Sequence, residues 1–154
     1  DACGIPMDSA TRGPKVDESY MTEIPGIFAC GNGLHVHDLA DYAAHQGTLA
    51  GNGAAAYLQN GQNLSNRVSV TAGHQIGYVV PSYLHTENLP KTVELYFRVK
   101  QPLEHVQIII RSSQKIIRTI EKEHVIPSEM EMVILAGKML DGLQDSLVVE
   151  VKPL

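Results

Sequence analysis

The stretch "ACGNGLHVHD", residues 29–38, sets Cys30, His35, His37 and Asp38 close together between two glycines. Three chemistries could use it. The first is metal binding. On an extended segment His35 and His37 point the same way, and Asp38 adds a carboxylate. A closed zinc site needs four ligands and a catalytic one three plus water. His45, His74, His85, His105 and His124 show no paired spacing to complete such a set. Local hydrogen bonding or capping is therefore the expected role of the two histidines, and no metal is assigned. The second chemistry is nucleophilic. A thiolate near a helix N-terminus is activated by the dipole, but Cys30 ends the apolar run "GIFACG", where a buried, inert thiol is the commoner outcome. The third is close approach to an anionic ligand. Gly31 and Gly33 let the backbone come near it, and a helix starting just beyond would aim free N–H groups at it.

Those residues need elements to hold them. Ile27 to Cys30 reads as a short buried strand ended by a glycine. "DLADYAAHQGTLAGNGAAAYLQN" reads as a helix, with Asp38 as N-cap, Asp41 in the first turn and Gly61 as the stop. Gly47, Gly51 and Ala55 recur at spacing four, a smooth face that invites close packing. Gly51 and Gly53 each cost roughly 1 kcal/mol against Ala in a helix interior, and close packing is the expected compensation. A helix that frays near Gly51 is the alternative. "GNGAAA", Gly51 to Ala56, matches a G-x-G-x-x-A dinucleotide fingerprint by letter only. It lies inside the helix rather than after a strand, and "VTAGHQIG" at residues 70–77 supplies no ribose-binding acid.

Upstream, "GPKVDE" suggests an extended piece around Lys15–Asp17. The whole stretch "GPKVDESYMTEIPGIFACGNGLHVHDLADYAAHQGTLAGNGAAAYL" resembles the carboxyl-terminal part of the FAD domain in FAD-dependent pyridine nucleotide-disulfide oxidoreductases. Thr22, Pro25, Gly26, Ile27, Phe28, Ala29 and Gly31 match that family's second FAD motif, and Asn32 stands where its acid usually sits. Within the family, "CGN…LHVHDL" is similar to a bacterial branch akin to the FAD subunit of anaerobic glycerol-3-phosphate dehydrogenase. The resemblance covers roughly residues 13–58. It implies a partial Rossmann-like strand–helix segment in residues 1–61, with Gly31, Asn32 and Gly33 near the ribityl–pyrophosphate part of FAD. It implies that the loop through His35, Val36 and His37 faces the pyrimidine edge of the flavin, where reduction places negative charge. His37 is the first candidate for that contact, and His35 can instead face substrate. The family's amino-terminal G-x-G-x-x-G, its NAD(P) domain and the redox disulfide some members carry all lie outside this sequence. The intact enzyme implied would move electrons between NAD(P)H and a substrate through FAD. The chain alone is expected to be inactive, an expectation that fits its opening on Asp1 rather than Met.

After "QNGQNLSN", residues 59–66, the period changes to two. "TVELYFRV" sets Val93, Leu95, Phe97 and Val99 against Glu94, Tyr96 and Arg98. "HVQIIIR" groups Val106, Ile108 and Ile110, and forms a hairpin through "SSQ" with "QKIIRTIEK". "EMEMVIL" sets Met130, Met132 and Ile134 against Glu129, Glu131 and Val133. "SLVVEVK" turns Leu147, Val149 and Val151 inward. With strands at Val68–Val70 and Ile76–Val80, about seven strands suggest an antiparallel, immunoglobulin-like β-sandwich over residues 66–154. The fold class expected is therefore α+β.

Composition narrows the function classes. The chain has 154 residues, 44% of them hydrophobic and 19% charged, with a formal net charge of -5. That is a globular composition. No Lys/Arg run occurs and the aromatics do not interleave with basic residues, so no nucleic acid is expected as partner. No run is long enough to span a membrane, and no basic-then-apolar leader opens the chain. Cys3 and Cys30 without a CxxC spacing fit free thiols in a reducing cytoplasm, with a Cys3–Cys30 bridge as the alternative. The partners expected are the family's amino-terminal FAD/NAD(P) domains. Residues 1–61 are expected to pack on the sandwich or on a second copy, the latter as a homodimer formed by swapping. The rival reading is a non-catalytic β-sandwich interaction module with a helical arm.

Overall fold

The strand "TVELYFRV" is apolar on one side and mixed on the other, yet both sides have large buried members. Val93, Leu95, Phe97 and Val99 are 0–3% exposed, and Tyr96 on the opposite side is 0% exposed. A strand buried on both faces needs a layer on each. The computed structural model, which describes residues 3–63, 65–113 and 115–154, shows what those layers are.

Among the described residues eight strands form two sheets. They are β1 (Arg67–Ala72), β2 (Ile76–Val80), β3 (Tyr83–His85), β4 (Thr92–Val99), β5 (Leu103–Ser112), β6 (Lys115–Val125), β7 (Glu131–Ala136) and β8 (Leu147–Pro153). One sheet has the order β3-β1-β8-β5-β6 and the other β2-β4-β7. They face each other as a β-sandwich, and the inward residues form one core that includes Val68, Phe97, Ile108, Leu135, Leu147 and Val151. Each such side chain contributes on the order of 1.5–3 kcal/mol by leaving water. The β5–β6 hairpin and the inward sets on β5 and β8 are as expected; Gln114 of the "SSQ" turn and Leu64 of the linker lie outside the described residues. The sandwich is not wholly antiparallel, because β1 runs parallel to β8, pairing Val70 with Leu147 and Ala72 with Val149. On β7 the core takes Val133 and Leu135, while Met132 and Ile134 are 37% and 43% exposed. Glu131 shares the inward side at the strand's end and is held by Lys122 at 3.0 Å.

The outer face of β2-β4-β7 is covered by the first region. Its helix, α1 (Ala40–Asn60), joins residues 16–34 and this sheet in a second core of Val16, Tyr20, Leu34, Ala50, Val80 and Tyr96. Ser82 N–H donates to Val16 O at 2.9 Å across the join. The first region thus packs on the sandwich, one of the two arrangements expected.

Three local expectations change. Residues 27–30 form no sheet strand: Phe28 makes an isolated bridge with Met21, and Ile27 is 36% exposed. Thr22 N–H donates to Ile27 O and Ala29 N–H to Tyr20 O, so the segment satisfies its backbone locally. Asp38 is not the N-cap of α1. Leu39 holds that position without a side-chain hydrogen bond, because Arg98 has captured the Asp38 carboxylate. Gly47 and Gly51 have nothing within 4 Å of an added Cβ, so the smooth face stands open. Close approach occurs instead at Gly53, where a Cβ would lie 2.3 Å from Ser19 O. Asp41 in the first turn and Gly61 at the C-cap, φ 77°, are as expected.

Candidate functional site

Gly31–Gly33 form one 3-10 turn, and Gly31 adopts φ 63°, a left-handed conformation that favours glycine. The turn is tied down by a residue on α1. Gln46, 0% exposed, accepts through Oε1 from Gly31 N–H at 2.7 Å and from His37 Nε2 at 3.0 Å. Its Nε2 amide lies 3.0 Å from His35 Nε2. An amide N–H can only donate, so His35 accepts there and carries its proton on Nδ1, 3.4 Å from the Tyr78 hydroxyl. One amide thereby fixes the tautomers of two histidines and the position of a glycine.

The rest of the contact is also polar. Tyr96 OH donates to Glu94, whose other oxygen lies 2.9 Å from His45 Nε2. Arg98 reaches the Asp38 carboxylate, Val36 O and Pro127 O, and Met130 N–H donates to Asp38 at 2.6 Å. Burial works to raise the Asp38 pKa. The hydrogen bonds from Arg98 and Met130 and the Arg98 charge outweigh it and hold the carboxyl below its ordinary value. Burial raises the Tyr20, Tyr78 and Tyr96 hydroxyls, which keeps them as donors rather than phenolates.

His35 is 1% exposed. Burial above all, then the charges of His37 and Arg98, push its pKa down to about 3. It is a neutral wall between α1 and β2-β4, with both ring nitrogens engaged inside the protein. It offers no surface to substrate or to a flavin edge in this arrangement. His37 is half-buried, and its Nδ1 is buried with no hydrogen-bond partner among the described residues.

The remaining residues of the turn face outward. Asn32 and Gly33 are exposed, nothing lies within 4 Å of an added Cβ on Gly33, and Val36 is 63% exposed. Asn32 Oδ1 accepts from His37 N–H at 3.0 Å. Beyond the turn, α1 begins without a side-chain cap. The structure therefore brings Gly31, His35 and His37 together through Gln46 and leaves Asn32, Gly33 and Val36 at the surface. Such a turn can receive a ligand along its exposed backbone while the buried side holds its shape.

Sequence reasoning missed Gln46, Tyr78, Tyr96 and Arg98. Nothing in the sequence sets Gln46 apart from the other amides of the same helix, Asn52, Gln59 and Asn60. Gln46 engages His35 and His37, and Arg98 engages Asp38. Cys3 and Cys30 are free thiols. A cleft of ≈ 470 Å³ lies elsewhere, lined by Asp17, Glu18, Phe28, Tyr57 and Asn63 among others. Among the described residues no helix is long and apolar enough to cross a membrane. No family model, curated protein or solved structure matches the chain.

Proposed function

We propose that this chain is the carboxyl-terminal part of an FAD-dependent oxidoreductase that moves electrons between NAD(P)H and a substrate through flavin. One observation carries the reading: the turn of the FAD-like motif, Gly31–Asn32–Gly33, exposes Asn32 and Gly33 on the approach to an uncapped 21-residue helix that starts at Ala40. The motif match at Thr22, Pro25–Ala29 and Gly31 supplies the ligand's identity. In this reading the surface residues Asn32, Gly33 and Val36 meet the ribityl and pyrimidine parts of FAD. His37 supports the turn from behind, and His35 is a structural residue. FAD would supply the two-electron chemistry; these residues would bind and orient it.

The family's amino-terminal domains would complete the FAD site and bring NAD(P)H. The chain alone neither holds FAD tightly nor turns over. The immunoglobulin-like sandwich is an appended module, and the protein works in the cytoplasm, where Cys3 and Cys30 stay reduced.

Joining the chain to such amino-terminal domains should give a yellow protein with one FAD. In it, Asn32→Asp should shift the flavin potential or FAD affinity while leaving folding stability within about 0.5 kcal/mol, as for an ordinary surface change. A joined protein that purifies colourless and stays so with added FAD defeats the proposal. The burial of His35 and the Gln46 bonds to His35 and His37 favour the rival, a non-catalytic module whose histidines only hold an arm to a sandwich. That rival predicts no flavin and no effect of Asn32→Asp on any redox property.

A further inference from the structure

A second buried histidine has a different environment. His85, at the end of β3, is 7% exposed, and its Nδ1 is buried without a hydrogen-bond partner among the described residues. It is aimed at two carboxylates from the first region. Nδ1 lies 3.6 Å from Asp17 Oδ2 and 3.4 Å from Glu18 Oε1. One donor atom from each of the three residues lies within 4.8 Å of the others.

The carboxylates are held in place by their other oxygens. Asp17 Oδ1 accepts from Ser19 N–H and Met21 N–H at 2.8 and 3.0 Å. Glu18 Oε2 accepts from His85 N–H at 3.0 Å. Each acid is thus anchored through one oxygen and offers the other to the space in front of His85. Among the described residues no Lys or Arg pairs with either acid. The nearby Arg67 lies over the Tyr83 ring at 4.1 Å and reaches Glu23. Burial, then the Glu18 charge, push the Asp17 pKa up to about 6. That is what an acid pair short of positive charge does.

We propose that Asp17, Glu18 and His85 form a binding site for a borderline divalent metal ion of the zinc class. Zinc–nitrogen and zinc–oxygen bonds of about 2.0–2.2 Å at tetrahedral angles place donors about 3.3–3.6 Å apart. The two separations above fall in or at the edges of that range, whereas they are too long or too misaligned for a good hydrogen bond. One imidazole with two carboxylates selects zinc-like ions over magnesium or calcium, which prefer all-oxygen shells. The ≈ 470 Å³ cleft lined by Asp17 and Glu18 gives solvent a route to the fourth position. On binding, the ion takes the His85 Nδ1 lone pair, and any proton held there or on Asp17 leaves to water. Asp17 and Glu18 belong to the first region and His85 to the sandwich, so the ion would clasp the two together.

The test is a zinc titration of the metal-stripped full chain by calorimetry, with the thermal midpoint read in parallel. One equivalent should bind, the midpoint should rise, and cobalt(II) should give d–d bands without thiolate charge transfer. Asp17→Asn, Glu18→Gln and His85→Gln should each weaken binding at least tenfold, whereas His105→Gln should not. Asp17→Asn keeps the acceptor for Ser19 and Met21, so it guards against loss of fold. Absence of stoichiometric binding by the unaltered chain overturns the proposal. So does equal affinity in all three variants, or a cobalt spectrum showing Cys3 or Cys30. None of these readouts involves flavin, so the site stands or falls apart from the oxidoreductase reading.

Discussion

Two buried histidines hold the first region to the sandwich, and they do it by opposite means. His35 sits in a neutral network in which one amide, Gln46, serves His35, His37 and Gly31. His85 faces Asp17 and Glu18 with its Nδ1 unanswered. Burial lowers the His35 pKa to about 3. Glu18 raises that of His85, with burial opposing and Asp17 adding. A buried carboxylate pair with no Lys or Arg beside it is costlier than a neutral amide–imidazole network in which one atom, His37 Nδ1, lacks a partner. The first cluster therefore reads as architecture and the second as a site.

The largest expected effect breaks the neutral side. Gln46→Leu leaves His35 Nε2, His37 Nε2 and Gly31 N–H without their partner. At about 1–3 kcal/mol for each unsatisfied buried group, the loss should reach roughly 3 kcal/mol or more. Urea unfolding measures it. A loss below about 1 kcal/mol would show that water or repacking serves these groups and that the network is not what fixes the turn.

Acid should act on His35 next. The unfolded chain takes up this proton near 6.5, and the folded one only near 3. Below 6.5 the unfolded state binds more protons, so stability falls as pH falls, by at most about 1.4 kcal/mol per pH unit. Other groups titrate in the same window, so the difference in slope between the unaltered chain and His35→Gln is the readout. Equal slopes would mean that His35 is protonated in the folded protein.

The charged side should respond the other way. Asp17 has a pKa raised from 3.8 to about 6. Its contribution to stability is present below 3.8 and is lost as pH rises through about 6. Asp17→Asn has no such loss, so its stability relative to the parent, in metal-free buffer, should increase between those pH values and then level off. The expected gain at neutral pH is about 3 kcal/mol. A difference that does not vary with pH would show that Asp17 titrates as an ordinary carboxyl.

A smaller pair of effects sharpens the comparison at the level of the helix. Gly51→Ala meets open space and should stabilise by up to about 1 kcal/mol through helix propensity. Gly53→Ala gains the same propensity but places Cβ 2.3 Å from Ser19 O. Because Ser19 follows the Asp17–Glu18 pair directly, the change should destabilise by about 1 kcal/mol net and weaken the acid cluster. Thermal unfolding of both variants decides it; equal shifts would mean that the close approach is not real.

These contrasts also separate what the chain's letters disclose from what they hide. The two-residue period of "TVELYFRV", "HVQIIIR" and "SLVVEVK" revealed β4, β5 and β8 together with their inward residues, because one face of a strand must be apolar to be buried. The same rule misled on β7. There the apolar Met132 and Ile134 lie on the more exposed side, and Glu131 turns inward beside Lys122. The helix was legible from its composition, but its packed side was not. Where nearly every residue is small, hydrophobic contrast around the axis is too weak to choose between Gly51 and Gly53. The turn at Gly31–Gly33 was legible from its glycines, and the inward direction of His35 was not.

The order of residue types along the chain is enough to set the strands with a clear period, the long helix with its Gly61 stop, and the glycine turn before it. These are local consequences of side-chain shape and backbone freedom. Which polar groups meet is settled by the packing of distant segments. Gln46 finds His35 and His37, Arg98 takes Asp38 from the helix start, and His85 comes to Asp17 and Glu18 from the other region of the chain. Such pairings depend on which surfaces lie against each other once water is excluded. No spacing along the chain encodes that.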